Sequence, residues 1–186
     1  MKGYIYTMSA GADPGHGWVM TDPIFGRVPT LGACVPNIRR AVIPGDYIFV
    51  VSGRIPGIQQ FVVGGFQVDE KIDALTAYER FPQNRMKVGR EGTIEGNIIV
   101  DRAGNHHPLD EHEGFAARVE NYIVGHNATA FDGESEYEAA REETIEILGD
   151  IFQRQGNRAF DIIGRHRKMD ERQIGTLLEW INSVKS

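Results

Sequence analysis

The amino-acid sequence predicts an α+β fold, in which a small mixed β-barrel with flanking helices precedes two C-terminal amphipathic helices. Residues 43–68 predict the barrel wall, because they hold two apolar runs of β-branched and aromatic residues separated by turn residues. Residues 131–186 predict the helices, because apolar residues recur there at helical spacing behind two capping boxes. For a chain of 186 residues without a linker we predict one domain, with a barrel core at 1–130 and a helical part at 131–186.

The two apolar runs of the barrel wall are predicted to be neighbouring strands. A Pro-Gly-Asp turn signature precedes the first run, residues 47–51, which has the length of a strand buried on both faces. A Pro-Gly pair then turns the chain toward the second run, residues 61–68. Gly64 and Gly65 inside the second run predict a bulge, a bend, or the close approach of another backbone or a ligand.

Other segments show weaker patterns of the same kinds. The sequence predicts strands at residues 4–8, 18–20, 97–100 and 118–124, and a helix at 70–80 with Asp69 as its N-cap. In the C-terminal part, Ser135 with Glu138 and Asp170 with Gln173 form the two capping boxes. Residues 9–17 are predicted to be a loop, whose glycines lack the GK[ST] signature of a P-loop.

The formal net charge of −6 is concentrated in one segment. Residues 132–150 carry eight acidic residues and one arginine, so the rest of the chain is close to neutral and can still present a basic face. Cys34 is the single cysteine, which excludes an internal disulfide and favours a reducing compartment. No segment has the length of a signal-peptide core or a membrane span, so we predict a cytoplasmic protein without a membrane partner.

One short loop concentrates the residue types that bind metals. His106, His107, Asp110 and His112 lie close together, and imidazole and carboxylate groups bind zinc and other divalent ions. Their spacing matches no established metal motif, so we predict a hydrophilic surface loop without a metal, and a metal site at these four residues is the alternative. Cys34 is predicted to be an inert thiol, and no nucleophile elbow is evident. We therefore predict no cofactor and leave the catalytic residues unassigned.

A second group of residues, near the predicted barrel mouth, has the chemistry of base and phosphate recognition. Aromatic rings stack on bases, amides hydrogen-bond to base edges, and guanidinium groups bind phosphate. The candidates are Trp18 and Phe25 for stacking, Asn37, Ser52, Gln59 and Gln60 for hydrogen bonds, and Arg39, Arg40 and Arg54 for phosphate. The alternatives are a core position for Trp18 and a solvated strand entrance for Arg39 and Arg40.

Several motifs resemble known families. The stretch IPGDYIFVVSG, followed by FVVGGFQV, looks like the core of PUA-like barrels, the superfamily that contains the EVE, ASCH and YTH domains. Over a longer span, YIYTMSAGADPGHGW, PNIRR, IPGDYIFVVSG, VGGF and ALTAYERFPQNRM resemble the nucleotide-modification-associated domain family, type two. The resemblance covers the first two-thirds of the chain, and the C-terminal helices carry no matching motif.

This resemblance implies a mainly β, PUA-like barrel and a role near modified nucleotides in bacterial or phage DNA-modification and defence systems. In related EVE-type domains, a flipped, modified base lies in a pocket beside the barrel, against aromatic side chains. Trp18 and the strand end at Ser52 and Gly53 are the positions of this sequence that correspond to that pocket.

Three functions follow as hypotheses. The first is a non-catalytic module that binds a modified base or nucleotide, alone or in nucleic acid. The second is an enzyme acting on a nucleotide or nucleobase, assisted by a metal ion in the histidine-rich loop. The third is an interaction module whose acidic helix binds a basic partner. We favour the first, because no catalytic set is found. The choice among DNA, RNA and free nucleotide, and the oligomeric state, are left open.

Overall fold

The computed structural model describes residues 1–186 and shows a mixed α+β protein. Its eight strands are β1 (Gly3–Thr7), β2 (Thr30–Leu31), β3 (Tyr47–Val51), β4 (Val62–Ile72), β5 (Lys87–Val88), β6 (Ile94–Glu95), β7 (Tyr122–Ala130) and β8 (His166–Met169). Its six helices are α1 (Pro36–Ala41), α2 (Ala74–Arg80), α3 (Phe115–Arg118), α4 (Glu134–Phe152), α5 (Ala159–Ile163) and α6 (Glu171–Val184). None of these helices combines the length and the apolar character needed to cross a bilayer.

Six strands form one mixed sheet, in the order β2-β7-β4-β3-β1-β8. Strands β1 and β3 are parallel, whereas β3 with β4, β1 with β8 and β2 with β7 are antiparallel. Strands β5 and β6 form a separate two-stranded sheet. The α+β class is therefore confirmed. The six-stranded sheet is open, with β2 and β8 at its two ends, where the sequence predicts a closed barrel.

The chain forms two compact units assembled from interleaved segments. The first unit consists of Met1–Val19, Gly45–Gln67 and Ala128–Ser186, and the second of Met20–Pro44 and Val68–Asn127. Because the segments alternate along the chain, no single linker precedes a unit. The single domain at 1–186 stays a prediction.

The core of the first unit is built from β1, β3 and the three C-terminal helices α4, α5 and α6. Four of the five residues of β3 are fully buried, as its apolar run predicts. The capping box predicted at Asp170 is confirmed, because its carboxylate accepts from the Gln173 backbone N–H at 2.9 Å while the Gln173 side chain accepts from the Asp170 N–H at 3.0 Å. The helix that follows buries Ile174, Leu177, Trp180 and Ile181.

Strand β4 carries the bulge that its glycine pair predicts. Val50 pairs with Gly64 and Val51 with Val62, so Val63 has no partner on β3. A Cβ at Gly64 would overlap the backbone of residues 129 and 130, so both a bulge and a close backbone approach are confirmed. The Val62 N–H donates to the Thr144 hydroxyl of α4 at 3.0 Å, which satisfies a backbone donor beside the bulge.

The core of the second unit includes residues of α2 and of the first half of β7. Its buried apolar members are Ala74, Ala77, Phe81, Ile98, Val100, Tyr122 and Val124. The helix predicted at 70–80 begins only at Ala74, because β4 continues to Ile72. Its cap is Asp73 instead of Asp69, since Asp73 accepts from the backbone N–H and the hydroxyl of Thr76 at 2.9 and 2.8 Å.

Several other predicted boundaries differ from the structure. Residues 18–20 form a loop, and residues 97–100 make only isolated bridges, at Ile98 and Val100. The strand predicted at 118–124 begins at Tyr122, because Arg118 ends α3. Helix α4 begins at Glu134, so Ser135 lies inside its first turn and Gly133 is the N-cap. Helix α5 and strand β8 were not anticipated by any sequence pattern.

Candidate functional site

Two loops of the first unit meet at the carboxyl ends of the parallel strands β1 and β3. One follows β1 and contains the glycine-rich residues 9–17, and the other, residues 52–61, follows β3. The Gly11 N–H donates to the Arg54 carbonyl at 3.0 Å, and the Gly53 N–H donates to the Ala12 carbonyl at 2.7 Å. Ligands commonly bind in open sheets at the carboxyl ends of parallel strands, so these two loops form a candidate site.

The absence of a side chain at Gly53 allows the two loops to come this close. A Cβ at this position would overlap the Ser9 carbonyl oxygen and press on the Ala12 backbone nitrogen. Both obstacles are backbone atoms, which have little room to move. Gly53 therefore fixes the loop arrangement, and it contributes to the candidate site through the backbone.

A tight turn shapes the loop after β3. The Ile58 N–H donates to the Ile55 carbonyl at 3.1 Å, with Pro56 and Gly57 at the two central positions. Gly57 has φ +77°, as position i+2 of a type II turn requires. The Pro-Gly turn predicted from the sequence is confirmed, and it holds Arg54 and Gln59 on either side of the turn.

Ser52 and Gln60 are both buried in the wall of the site. The Ser52 hydroxyl oxygen accepts from the Phe61 N–H at 3.0 Å, and the Gln60 side-chain amide donates to the Ser52 carbonyl at 2.8 Å. Ser52 is fully buried, and Gln60 is only 5% exposed. The ligand-contacting role predicted for Ser52 does not fit this environment, and the Gln60 amide nitrogen already has a partner.

The loop encloses a surface depression of about 330 Å³. We call it the Arg54 depression; it is lined by Arg54, Gln59, Gln60, Arg158 and the turn at residues 55–58. Arg158 pairs with Asp161 at 2.6 Å, and this bond lowers the pKa of the Asp161 carboxyl. Arg54 is exposed and makes no ion pair, so its positive charge is available to a ligand.

Arg141 of α4 ties both loops to the helix. Its guanidinium donates to the two Asp13 carboxylate oxygens at 2.6 and 2.8 Å and to the Gln59 carbonyl at 2.6 Å. It also lies 4.5 Å from the centre of the Phe61 ring. The side chains of Arg141 and Asp13 are only 14% and 1% exposed. This largely buried ion pair therefore clamps the loops that border the Arg54 depression.

The remaining predicted binding residues do not line this depression. Trp18 belongs to the first unit and is half-exposed, so it is not a core residue. Phe25, Asn37, Arg39 and Arg40 belong to the second unit. There Phe25 is half-buried, whereas Asn37 and Arg40 are exposed on or beside α1.

Arg39 has a structural role in the second unit. It is fully buried, and its guanidinium donates to the carbonyl oxygens of Cys34, Arg118, Glu120 and Asn121 at 2.8–3.0 Å. These bonds hold the chain before β7 against α1. A phosphate-binding role for Arg39 is therefore incompatible with its position, because the group is enclosed by protein.

The histidine-rich loop, also in the second unit, gathers around one carboxylate. Asp110 accepts from His106 Nε2 at 2.8 Å and His112 Nδ1 at 2.9 Å, and from Arg118 at 2.6 and 3.0 Å. Burial raises the pKa of Asp110, but the hydrogen bonds from Arg118, His112 and His106 outweigh it and hold this pKa well below its usual range. His107 instead accepts from the Leu109 N–H at 3.2 Å.

This cluster is not arranged as a metal site. No group of three or more His, Cys, Asp and Glu side chains is placed to hold a metal ion. The Asp110 oxygens that would ligate the ion are occupied by Arg118, whose side chain is 7% exposed. Arg118 lies in a segment that the sequence predicts to be a strand, so no sequence pattern indicates its pairing with Asp110.

Cys34 lies beside a second buried carboxylate, Asp22. Asp22 accepts from the backbone N–H groups of Gly32, Ala33 and Cys34 and from the Asn97 side chain at 3.0 Å. Burial raises the pKa of Asp22, and burial together with the neighbouring Asp22 raises the pKa of the Cys34 thiol. Little thiolate forms at neutral pH, in agreement with the inert thiol that the sequence predicts.

Comparisons with family models, curated proteins and solved structures find no match for this chain. The resemblance to the nucleotide-modification-associated and PUA-like families therefore stays a prediction.

Proposed function

We propose that this protein is a non-catalytic binding module for a nucleotide phosphate group, carried by a free nucleotide or by nucleic acid. The observation that supports it is the exposed, unpaired guanidinium of Arg54 beside a depression of about 330 Å³. Guanidinium groups bind phosphate through paired, charge-assisted hydrogen bonds. Depressions of this size fall at the lower end of the range for small-molecule sites.

Recognition of a modified base is the finer part of this proposal. The Gln59 amide lies at the rim of the Arg54 depression, and Ile55, Pro56 and Ile58 give that depression an apolar surface for a planar ring. Trp18 and Phe25 are not among its lining residues, so the proposal assigns them no stacking role. A PUA-like origin, a bacterial DNA-modification context and a cytoplasmic location stay predictions from the sequence.

The test is a binding titration with two sets of probes. One set contains the 5′-deoxynucleoside monophosphates, including those of 5-methylcytosine and 5-hydroxymethylcytosine, and the other contains single-stranded oligonucleotides with the same bases. We expect at least one set to bind the wild type. We expect Arg54→Ala to weaken that binding about 10- to 100-fold, the loss expected for one hydrogen bond between charged groups.

Arg102→Ala is the matched control, because Arg102 is also exposed and lies on a turn of the second unit. It removes the same charge and is expected to change affinity less than twofold. Equal losses in the two variants would reduce the binding to nonspecific charge attraction. Binding of neither probe set would contradict the proposal. Tighter binding of the modified cytosines than of unmodified cytosine would support recognition of a modified base. Equal affinity for the two would contradict it.

Catalysis by the Asp110 cluster is the second candidate. His112 donates from Nδ1 to a buried carboxylate, which leaves Nε2 as the nitrogen that can accept a proton, as in catalytic histidine–aspartate pairs. An assay for release of phosphate or free base from the same nucleotides tests it. Turnover that His112→Gln abolishes would favour an enzyme, and no turnover by the wild type would favour the binding module.

A further inference from the structure

Two further surface depressions lie beside the Arg54 depression in the first unit. The adjoining one, of about 400 Å³, shares Gln59 with it and is lined also by Arg141, Glu142 and Asn157. The third, of about 420 Å³, shares Ile145 and Gly156 with the second. The second and third depressions lie between α4 and the segment at residues 153–157, and we call the three depressions together the groove.

The α4 side of this groove is acidic. Glu142, Glu146 and Asp150 line the second and third depressions, and their spacing of four residues places them on one face of the helix. All three are exposed, and none has an ion-pair partner. Arg141 does not offset them, because its guanidinium is held by Asp13. Arg154, which lies beyond the end of α4, is the only unpaired cation that lines the second and third depressions.

The boundary between the basic and acidic parts of the groove lies at Gln59. Its side-chain amide reaches the Asn157 carbonyl at 3.5 Å, across the junction of the first and second depressions. A ligand seated against Arg54 therefore meets the Gln59 amide, beyond which Glu142 lines the second depression, and Glu146 and Asp150 line the third. Charges of the same sign repel within a Debye length of about 8–10 Å at moderate salt.

We infer that the ligand of the Arg54 depression is a free nucleotide and not a nucleic-acid strand, because the acidic wall repels the phosphates that would continue along the groove. This inference rests on the proposed function. A mononucleotide places its phosphate at Arg54 and none beside α4. A strand adds one negative charge per nucleotide and brings its next phosphates toward Glu142 and Glu146.

The test compares a 5′-deoxynucleoside monophosphate with a single-stranded 12-mer of the same base, in the wild type and a Glu142→Gln, Glu146→Gln, Asp150→Asn variant. We expect the wild type to bind the mononucleotide at least tenfold more tightly than the 12-mer. Neutralising the wall is expected to raise affinity for the 12-mer at least fivefold and to leave affinity for the mononucleotide within twofold.

A matched control carries Glu91→Gln, Glu111→Gln and Glu113→Gln, three exposed residues of the second unit, and changes the net charge by the same amount. It is expected to raise affinity for the 12-mer less than twofold. Tighter binding of the 12-mer by the wild type, or equal gains in the two triple variants, would overturn the inference and leave the phosphate site standing. Binding of neither probe, or binding insensitive to Arg54→Ala, would overturn the proposed function itself.

Discussion

Gly53 is the residue on which the loop arrangement of the candidate site depends most directly. We predict that Gly53→Ala lowers the free energy of unfolding by about 1–3 kcal/mol, the range for forcing an atom into a packed position. The reason is that the new methyl group would overlap the Ser9 carbonyl oxygen. Urea unfolding monitored by circular dichroism measures the change.

Gly175 provides the control for this substitution. It lies inside α6, and a Cβ there would meet no atom within 4 Å. Gly175→Ala is therefore expected to raise the free energy of unfolding by about 0.5–1 kcal/mol, because alanine is the better helix former. A Gly53→Ala variant as stable as the wild type would contradict the close approach of the two loops.

Asp110 makes stability depend on pH. Its pKa in the folded protein lies well below the ordinary value of 3.8, so the ionised carboxylate stabilises the fold above that value. This contribution is lost as the pH falls from the ordinary pKa toward the folded one. At pH 7, Asp110→Asn is expected to cost about 3–5 kcal/mol, because it leaves the largely buried Arg118 unpaired.

The measurement is the free energy of unfolding of both proteins between pH 7 and pH 2. The difference between them is expected to be constant above about pH 5 and to shrink as the pH falls below 4, since the unfolded wild type then binds a proton at Asp110 while the folded protein keeps this carboxylate ionised. A difference that stays constant down to pH 2 would show that the charge of Asp110 is not what stabilises the loop.

At the scale of elements, one hydrogen bond connects α4 to the bulge of β4. Thr144→Val keeps the shape of the side chain but removes the acceptor for the Val62 N–H. We predict a loss of about 1–3 kcal/mol, the cost of leaving a buried donor unsatisfied. Thr144→Ser retains the hydroxyl and is expected to preserve the hydrogen bond. Equal protection of the Val62 amide from hydrogen exchange in both variants would argue against this contact.

A second connection joins the loop at residues 9–17 to α4 through Asp13 and Arg141. Asp13→Asn is expected to cost about 3–5 kcal/mol, because it leaves a largely buried guanidinium without its partner. Asp161→Asn breaks a similar pair with Arg158 at the surface, so it is expected to cost far less than Asp13→Asn. Thermal unfolding of the two variants measures both effects, and equal costs would contradict the difference in burial.

At the scale of the whole molecule, local sequence patterns predict individual helices and strands, whereas pairing between distant strands determines the topology of the sheet. The run at β3 and the capping box at Asp170 are complete within a few residues, so the sequence shows them directly. The order β2-β7-β4-β3-β1-β8 depends on pairings between distant segments. No local sequence pattern distinguishes a strand of an open sheet from a strand of a barrel. Strand β8, with the sequence HRKM, is too short and polar to show a strand pattern.

The candidate site was predictable to the same extent. Arg54, Gln59 and Gln60 lie close together in the sequence around a recognisable turn, and they do line one depression. Arg141 is 128 residues from its partner Asp13, and nothing local connects them. The phosphate-binding role predicted for Arg39 was wrong. Charged side chains usually lie at the surface, whereas the Arg39 guanidinium is buried and donates to four backbone carbonyl groups. Its burial depends on tertiary contacts that no sequence pattern reveals.

The most direct test of the central claim is a nuclear magnetic resonance titration of the ¹⁵N-labelled protein with a 5′-deoxynucleoside monophosphate. If Arg54 holds the phosphate, the backbone amide shifts are expected to change most at residues 52–60 and 156–158, and Arg54→Ala is expected to make these changes much smaller at the same nucleotide concentration. Shifts spread evenly over the surface, or concentrated at the histidine-rich loop of residues 105–118, would contradict the account.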